Sequence, residues 1–92
     1  MPGPQPDFDN IPFDFLNTEI ELATTFIRIA KTELSIDPEH AARALDKARE
    51  AVKTVRHFLS KRIAGLDDEQ MEVLLRRCRV LETAIEGVAA QP

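Results

Sequence analysis

The sequence predicts an all-α protein, an antiparallel up-down-up three-helix bundle that follows a proline-rich extended N-terminal segment. Two observations favour this fold class. Apolar residues recur at alternating steps of three and four in three separate stretches, so each set lies on one face of a helix. The aromatic residues are five Phe, without Trp or Tyr, whereas strands are usually enriched in aromatic residues. The three apolar stripes are Leu16, Ile20, Ala23, Ile27, Ala30 and Leu34; Ala41, Leu45, Ala48, Val52, Val55 and Leu59; and Met71, Leu74, Cys78, Leu81, Ile85 and Val88.

Residues 1–13 form the predicted lead-in, extended or disordered, because they hold four of the six prolines. Proline lacks an amide donor and disfavours helical geometry in the residue before it. Helix 1 is therefore predicted over residues 14–34, and the three-helix bundle as a whole over residues 14–89.

Helix 2 is predicted over residues 38–63. Asp37 is a favourable N-cap, and Pro38 then occupies the first helical position, where proline is preferred. The connection of residues 35–37 is so short that we expect helices 1 and 2 to run antiparallel. Gly65 is the expected C-cap glycine.

Helix 3 is predicted over residues 67–88. Asp67 and Gln70 have the spacing of a capping box, in which each side chain accepts a hydrogen bond from the other residue's backbone N–H. The helix is expected to fray near Gly87. The sequence thus predicts three helices of similar length around one core.

The net charge of −4 is unevenly distributed along the chain. Residues 1–37 carry two basic against seven acidic residues, residues 38–66 seven against three, and residues 67–92 three against six. A basic helix between two acidic ones favours attraction within the bundle. The overall acidity argues against a nucleic-acid partner.

Helix 3 contains a small basic run, formed by Arg76, Arg77 and Arg79. No aromatic residue is interleaved for base stacking, so we interpret the run as a solvated face whose positive charge complements the acidic helix 1. Weak anion binding is the alternative.

Cysteine usage and hydropathy predict the compartment. Cys78 is the only cysteine, so no internal disulfide can form, and it occupies a stripe position where a free thiol acts as a small hydrophobe. The N-terminus lacks the basic and apolar segments of a signal peptide, and no apolar run reaches the ~18–20 residues that cross a bilayer. We expect a cytoplasmic protein without a membrane partner.

The sequence lacks the residue patterns that support catalysis or cofactor binding. The His and Cys residues lack metal-ligand spacing, and the three Gly form no phosphate-binding loop. We therefore expect no enzyme activity, no cofactor and no metal site. His57 supports one minor alternative, because histidine phosphotransfer domains also expose a helical His near a Lys, here Lys53 or Lys61.

Helix 1 carries a second apolar stripe beside the first, formed by Leu22, Phe26 and Ile29. Three explanations are open. The stripe widens the face that packs in the bundle, since each helix touches two others. It forms a groove for a partner helix or a homodimer interface. The third explanation is that apolar residues of the lead-in fold back and cover it.

The lead-in alternates acidic and aromatic residues around prolines. This composition is typical of a short linear motif that docks in a groove of another protein. Phe8 and Phe13 are the candidate partner-binding residues of that motif. The alternative is a fraying terminal segment whose apolar residues only pack at the entry to helix 1.

The stretch 26–58, FIRIAKTELSIDPEHAARALDKAREAVKTVRHF, resembles an alanine-rich helical hairpin of the tetratricopeptide type in the spacing of Ala30, Ala42, Leu45 and Ala48. Together with helix 3 it is similar in layout to the three-helix microtubule-interacting-and-trafficking domains. The resemblance implies binding of peptide helices in grooves between the helices. It is a likeness of spacing and carries over no binding residues.

The sequence as a whole predicts a small non-enzymatic helical module that binds a protein or peptide partner. A structural bundle that homodimerises through the second stripe of helix 1 is one alternative. A signalling or phosphotransfer role through His57 is another. The candidate partner-binding residues are Leu22, Phe26, Ile29, Phe8 and Phe13.

Overall fold

Three α-helices pack against each other in the computed structural model, which describes residues 11–61 and 66–91. Helix α1 comprises Ile11–Glu33, α2 comprises Pro38–Ser60, and α3 comprises Asp68–Ala89. The described residues contain no strand. The prediction of an all-α three-helix bundle is confirmed.

Helix α1 begins at Ile11, three residues before the predicted start, so residues 11–13 are helical rather than extended. The physical reason is that Pro12 lies in the first turn, where its missing N–H would have had no intrahelical partner. The C-terminal end at Glu33 is one residue earlier than predicted. Residues 1–10 of the lead-in, with Phe8, lie outside the described residues.

The turn between α1 and α2 is tight and is closed by hydrogen bonds to one carbonyl. The backbone N–H groups of Ile36 and Asp37 donate to the carbonyl oxygen of Glu33 at 2.9 and 2.7 Å. The Asp37 carboxylate accepts from the backbone N–H of His40 at 3.1 Å, and Pro38 follows at the first helical position. This is the predicted N-cap of helix 2, which satisfies an N–H that lacks a partner within the helix.

The far end of α2 differs from its predicted bound. The helix ends at Ser60, and Lys61 serves as its C-cap. The predicted end at residue 63 and the expected C-cap Gly65 lie outside the described residues.

Helix α3 starts with the predicted capping box. The Asp67 carboxylate accepts from the backbone N–H of Gln70 at 2.7 Å, and the Gln70 side-chain oxygen accepts from the backbone N–H of Asp67 at 3.1 Å. Because Asp67 is the N-cap, the first helical residue is Asp68, one later than predicted. The helix continues through Gly87 to Ala89.

The core is formed by the three predicted apolar stripes. Sixteen of their eighteen members are buried, and Leu34 and Met71, at the two remaining positions, are partly buried against the core. Ala44 and Ala51 of α2 join the buried set. No polar or charged residue is buried within the described part of the chain, so the core is held by apolar packing alone.

Contacts between the helices show which parts of each helix meet. Phe15, early in α1, packs edge to face on Phe58, late in α2, with ring centroids 5.4 Å apart. Asn17 of α1 meets Arg77 of α3 through a side-chain hydrogen bond of 2.7 Å. The Phe15–Phe58 contact is the one that antiparallel helices α1 and α2 would make. The up-down-up direction of the three helices stays a prediction.

None of the helices in the described part of the chain combines the length and apolar character needed to cross a membrane.

Candidate binding grooves

The predicted stripe of Leu22, Phe26 and Ile29 lies on the flank of α1 that faces α2. Phe26 and Ile29 are half-buried and pack against the core, whereas Leu22 keeps 43% of its surface exposed. Packing in the bundle therefore accounts for part of this stripe. What stays open is its outer edge, which lies beside α2.

A hollow of about 270 Å³ opens at this edge, and we call it the α1–α2 groove. Its wall from α1 is the apolar pair Phe26 and Ile29, and α2 contributes one small residue and three nitrogen-bearing side chains. The Lys47 ammonium group lies over the ring of Phe26, 5.6 Å from its centroid, within the range of a cation–π contact. The α2 residues that line the hollow are His40, Arg43, Ala44 and Lys47.

The other end of the same flank contains the Phe15–Phe58 contact. Phe15 is 41% exposed, and Phe58 is half-buried against the core. The His57 ring packs edge to face on Phe58 at 6.1 Å, and both line a hollow on α2 together with Lys53. His57 is exposed there, and the phosphotransfer alternative stays a prediction. Phe13 is half-buried against the core.

Two further hollows, of about 240 and 320 Å³, lie between α1 and α3. They share Thr24 and Leu81 and therefore adjoin each other, and we call the pair of hollows the α1–α3 groove. Val80, on its α3 side, is 63% exposed. The remaining lining residues are Ile20, Ile27, Arg28, Lys31, Arg76, Arg77 and Ala84.

The α1–α3 groove is rimmed by four basic side chains. Arg77 donates a hydrogen bond to the side-chain oxygen of Asn17, and Arg76 forms an exposed ion pair with Glu72 at 3.2 Å. Within the described part of the chain, Arg28 and Lys31 take part in no salt bridge. The rim therefore carries positive charge that the bundle itself compensates only in part.

Sequence reasoning missed this second groove. It noted the basic run with Arg76 and Arg77 and assigned it to a solvated face. The available signal was the spacing of Thr24, Arg28 and Lys31, at steps of four and three, which places them on one face of helix 1.

An ion pair joins α2 to α3. The Arg56 guanidinium donates two hydrogen bonds of 2.6 Å to the two carboxylate oxygens of Glu82. These bonds lower the pKa of Glu82 and raise the pKa of Arg56. The hollow that includes this pair, about 230 Å³, is lined by three basic residues, Arg49, Lys53 and Arg56, and by two acidic ones, Glu82 and Glu86, so most of its charge is compensated within the lining.

Cys78 places a thiol in the core, where it is a poor nucleophile. Its side chain is buried, and burial raises the pKa of the thiol, which disfavours the nucleophilic thiolate. Among residues 11–61 and 66–91, no group of three or more His, Cys, Asp or Glu side chains could hold a metal ion.

Searches with this chain found no matching family model, no matching curated protein and no matching solved structure.

Proposed function

We propose that this protein is a small non-enzymatic interaction module that binds a peptide segment of a protein partner in the α1–α2 groove. The observation that supports the proposal is the hollow beside Phe26 and Ile29, where an apolar wall faces a basic edge from α2. The proposal includes a cytoplasmic location, in which a free thiol such as that of Cys78 stays reduced.

The groove favours a peptide with one large apolar side chain next to a carboxylate. The apolar side chain would enter the space beside Phe26 and Ile29, where it leaves water. The carboxylate would lie near Arg43 and Lys47, which supply two positive charges on the same edge. Leu22, which is exposed on the same flank, would extend the apolar contact.

Selection from a phage-displayed library of random peptides tests this proposal with the full chain as bait. We expect the enriched sequences to share an acidic residue beside a large apolar one. A synthetic peptide with the enriched sequence is then titrated into the wild type and two variants by fluorescence anisotropy. Lys47→Glu removes the favourable charge and Leu22→Ser removes apolar contact, so each should weaken binding by about tenfold.

Lys53→Glu is the matched control, because it makes the same charge change on the same helix outside the α1–α2 groove. Binding that falls equally in Lys47→Glu and Lys53→Glu would contradict the proposal, as would a selection without enriched sequences. Light scattering on the free protein adds a second check. A wild-type dimer that Leu22→Ser converts to a monomer would replace the proposal with the homodimer alternative.

A further inference from the structure

We propose a second binding site, in which the α1–α3 groove holds an acidic amphipathic helix from a protein partner. The site differs from the α1–α2 groove in position and in charge. It lies on the opposite flank of α1, and its rim carries four basic side chains, from both α1 and α3. Among the described residues, the two grooves share no lining residue.

The shape of the α1–α3 groove fits a helix. Its base is apolar. Thr24 of α1 and Ala84 of α3 have short side chains, which leave space between the two helices. From Ile20 to Lys31 the groove extends about 16 Å along α1 at the helical rise of 1.5 Å per residue, which is about three turns. A helix of that length lays apolar residues into such a groove at positions i, i+3 or i+4, and i+7.

Exposed apolar surface shows that the groove is incompletely covered by the bundle. Val80 is 63% exposed, and Val73, two helical turns before Val80 on α3 and outside the groove lining, is also exposed. An apolar face on the incoming helix would remove the valine side chains from water.

Charge selects the kind of partner. The chain has a net charge of −4, yet Arg28 and Lys31 line one of the two adjoining hollows, and Arg76 and Arg77 line the other. Carboxylates on both sides of the apolar face of a helix would lie near these groups. Complementary charges raise the association rate and reject partners of the wrong sign. Acidic helices are therefore favoured over basic ones.

The test uses the full chain and a synthetic, fluorescently labelled helix of about sixteen residues, with Leu on one face and Glu on both flanks. A matched helix replaces every Glu with Lys. We expect the Glu helix to bind at least about tenfold more tightly than the Lys helix, and its affinity to fall as salt is added.

Two double variants locate the site. Arg28→Glu with Arg76→Glu reverses charge on both walls of the α1–α3 groove and should weaken binding of the Glu helix by about tenfold or more. Arg49→Glu with Lys53→Glu changes the net charge equally on α2 and should leave affinity near that of the wild type. Circular dichroism shows whether each variant keeps its helical content. Val80→Asp, a single change at an exposed position, should also weaken binding.

Four results would overturn the proposal. One is equal affinity for the Glu and Lys helices, and another is equal loss in the two double variants. The third is a loss of binding in Leu22→Ser, since that places the probe in the α1–α2 groove. The last result comes from anionic lipid vesicles. If the protein bound these vesicles in preference to the Glu helix, the basic rim would be a membrane-binding surface instead. Failure here leaves the α1–α2 proposal intact, because its variants lie on the other flank.

Discussion

The two flanks of α1 illustrate how side-chain size decides whether an apolar face stays open. On the flank facing α2, small buried residues such as Ala44 and Ala51 let α1 approach closely, so that even Phe26 and Ile29 are half-buried. On the flank facing α3, Val80 stays 63% exposed and lines a groove. The surplus of apolar residues on helix 1 was therefore a poor guide to exposure, because the neighbour's side chains determine how much of it is covered.

We expect the largest difference in stability between the two flanks when a small residue is replaced by a larger one. Ala48 is fully buried in the alanine-rich stripe of α2, so Ala48→Leu must displace packed neighbours and should lower the free energy of unfolding by as much as about 3 kcal/mol. Ala84 lines the α1–α3 groove and is only half-buried, so Ala84→Leu should change it by less than about 0.5 kcal/mol. Urea denaturation of both variants measures the difference. Similar losses in the two would show that the flanks are packed alike.

Truncating a side chain should also destabilise the α2-facing flank more than the α3-facing flank, but by a smaller difference in the free energy of unfolding. Phe26 is half-buried against the core, and Phe26→Ala should cost about 2 kcal/mol, less than the truncation of a fully buried Phe. Val80→Ala should stay within about 0.5 kcal/mol, since the side chain is 63% exposed. The check is again the free energy of unfolding from urea denaturation. A larger loss in Val80→Ala than in Phe26→Ala would reverse the comparison of the two flanks.

Local signals in the sequence predicted the fold well because they act over three or four residues. Asp67 with Gln70, and Asp37 with Pro38, set helix starts through hydrogen bonds and backbone geometry that neighbouring residues decide. The predicted start of α1 is three residues too late, because Pro12 is compatible with a first helical turn as well as with an extended segment.

The grooves were less predictable, since they depend on how helices distant in sequence rotate against each other. The spacing of Leu22, Phe26 and Ile29 identified one flank of α1 but not how much of it α2 would cover. Arg28 and Arg76 lie far apart in the chain, and no local pattern indicates that they line adjoining hollows. Helix packing angles and side-chain volumes are properties of the assembled bundle. They determine how much of α1 is covered and which basic side chains come close together.

The third interface, between α2 and α3, should respond to pH through its ion pair. Hydrogen bonds from Arg56 lower the pKa of Glu82 below the ordinary value of 4.5, so this pair stabilises the fold above that pH. The stabilisation is then lost as the pH falls through the lowered pKa, where the folded protein also takes up the proton. Both side chains are about 40% exposed, so the contribution should be no more than about 1 kcal/mol.

Glu82→Gln isolates this effect, because the amide keeps the shape of the carboxylate and removes its charge. At pH 7 the wild type should have the higher free energy of unfolding, and the difference from Glu82→Gln should shrink as the pH is lowered from 5 towards 3. Glu72→Gln is the control, since its partner Arg76 lies in an exposed ion pair on the α3 surface. A difference between wild type and Glu82→Gln that persists unchanged at low pH would mean that shape and neutral hydrogen bonding, rather than charge, join α2 to α3. The α2–α3 interface would then be stabilised by packing, as the α1–α2 interface is.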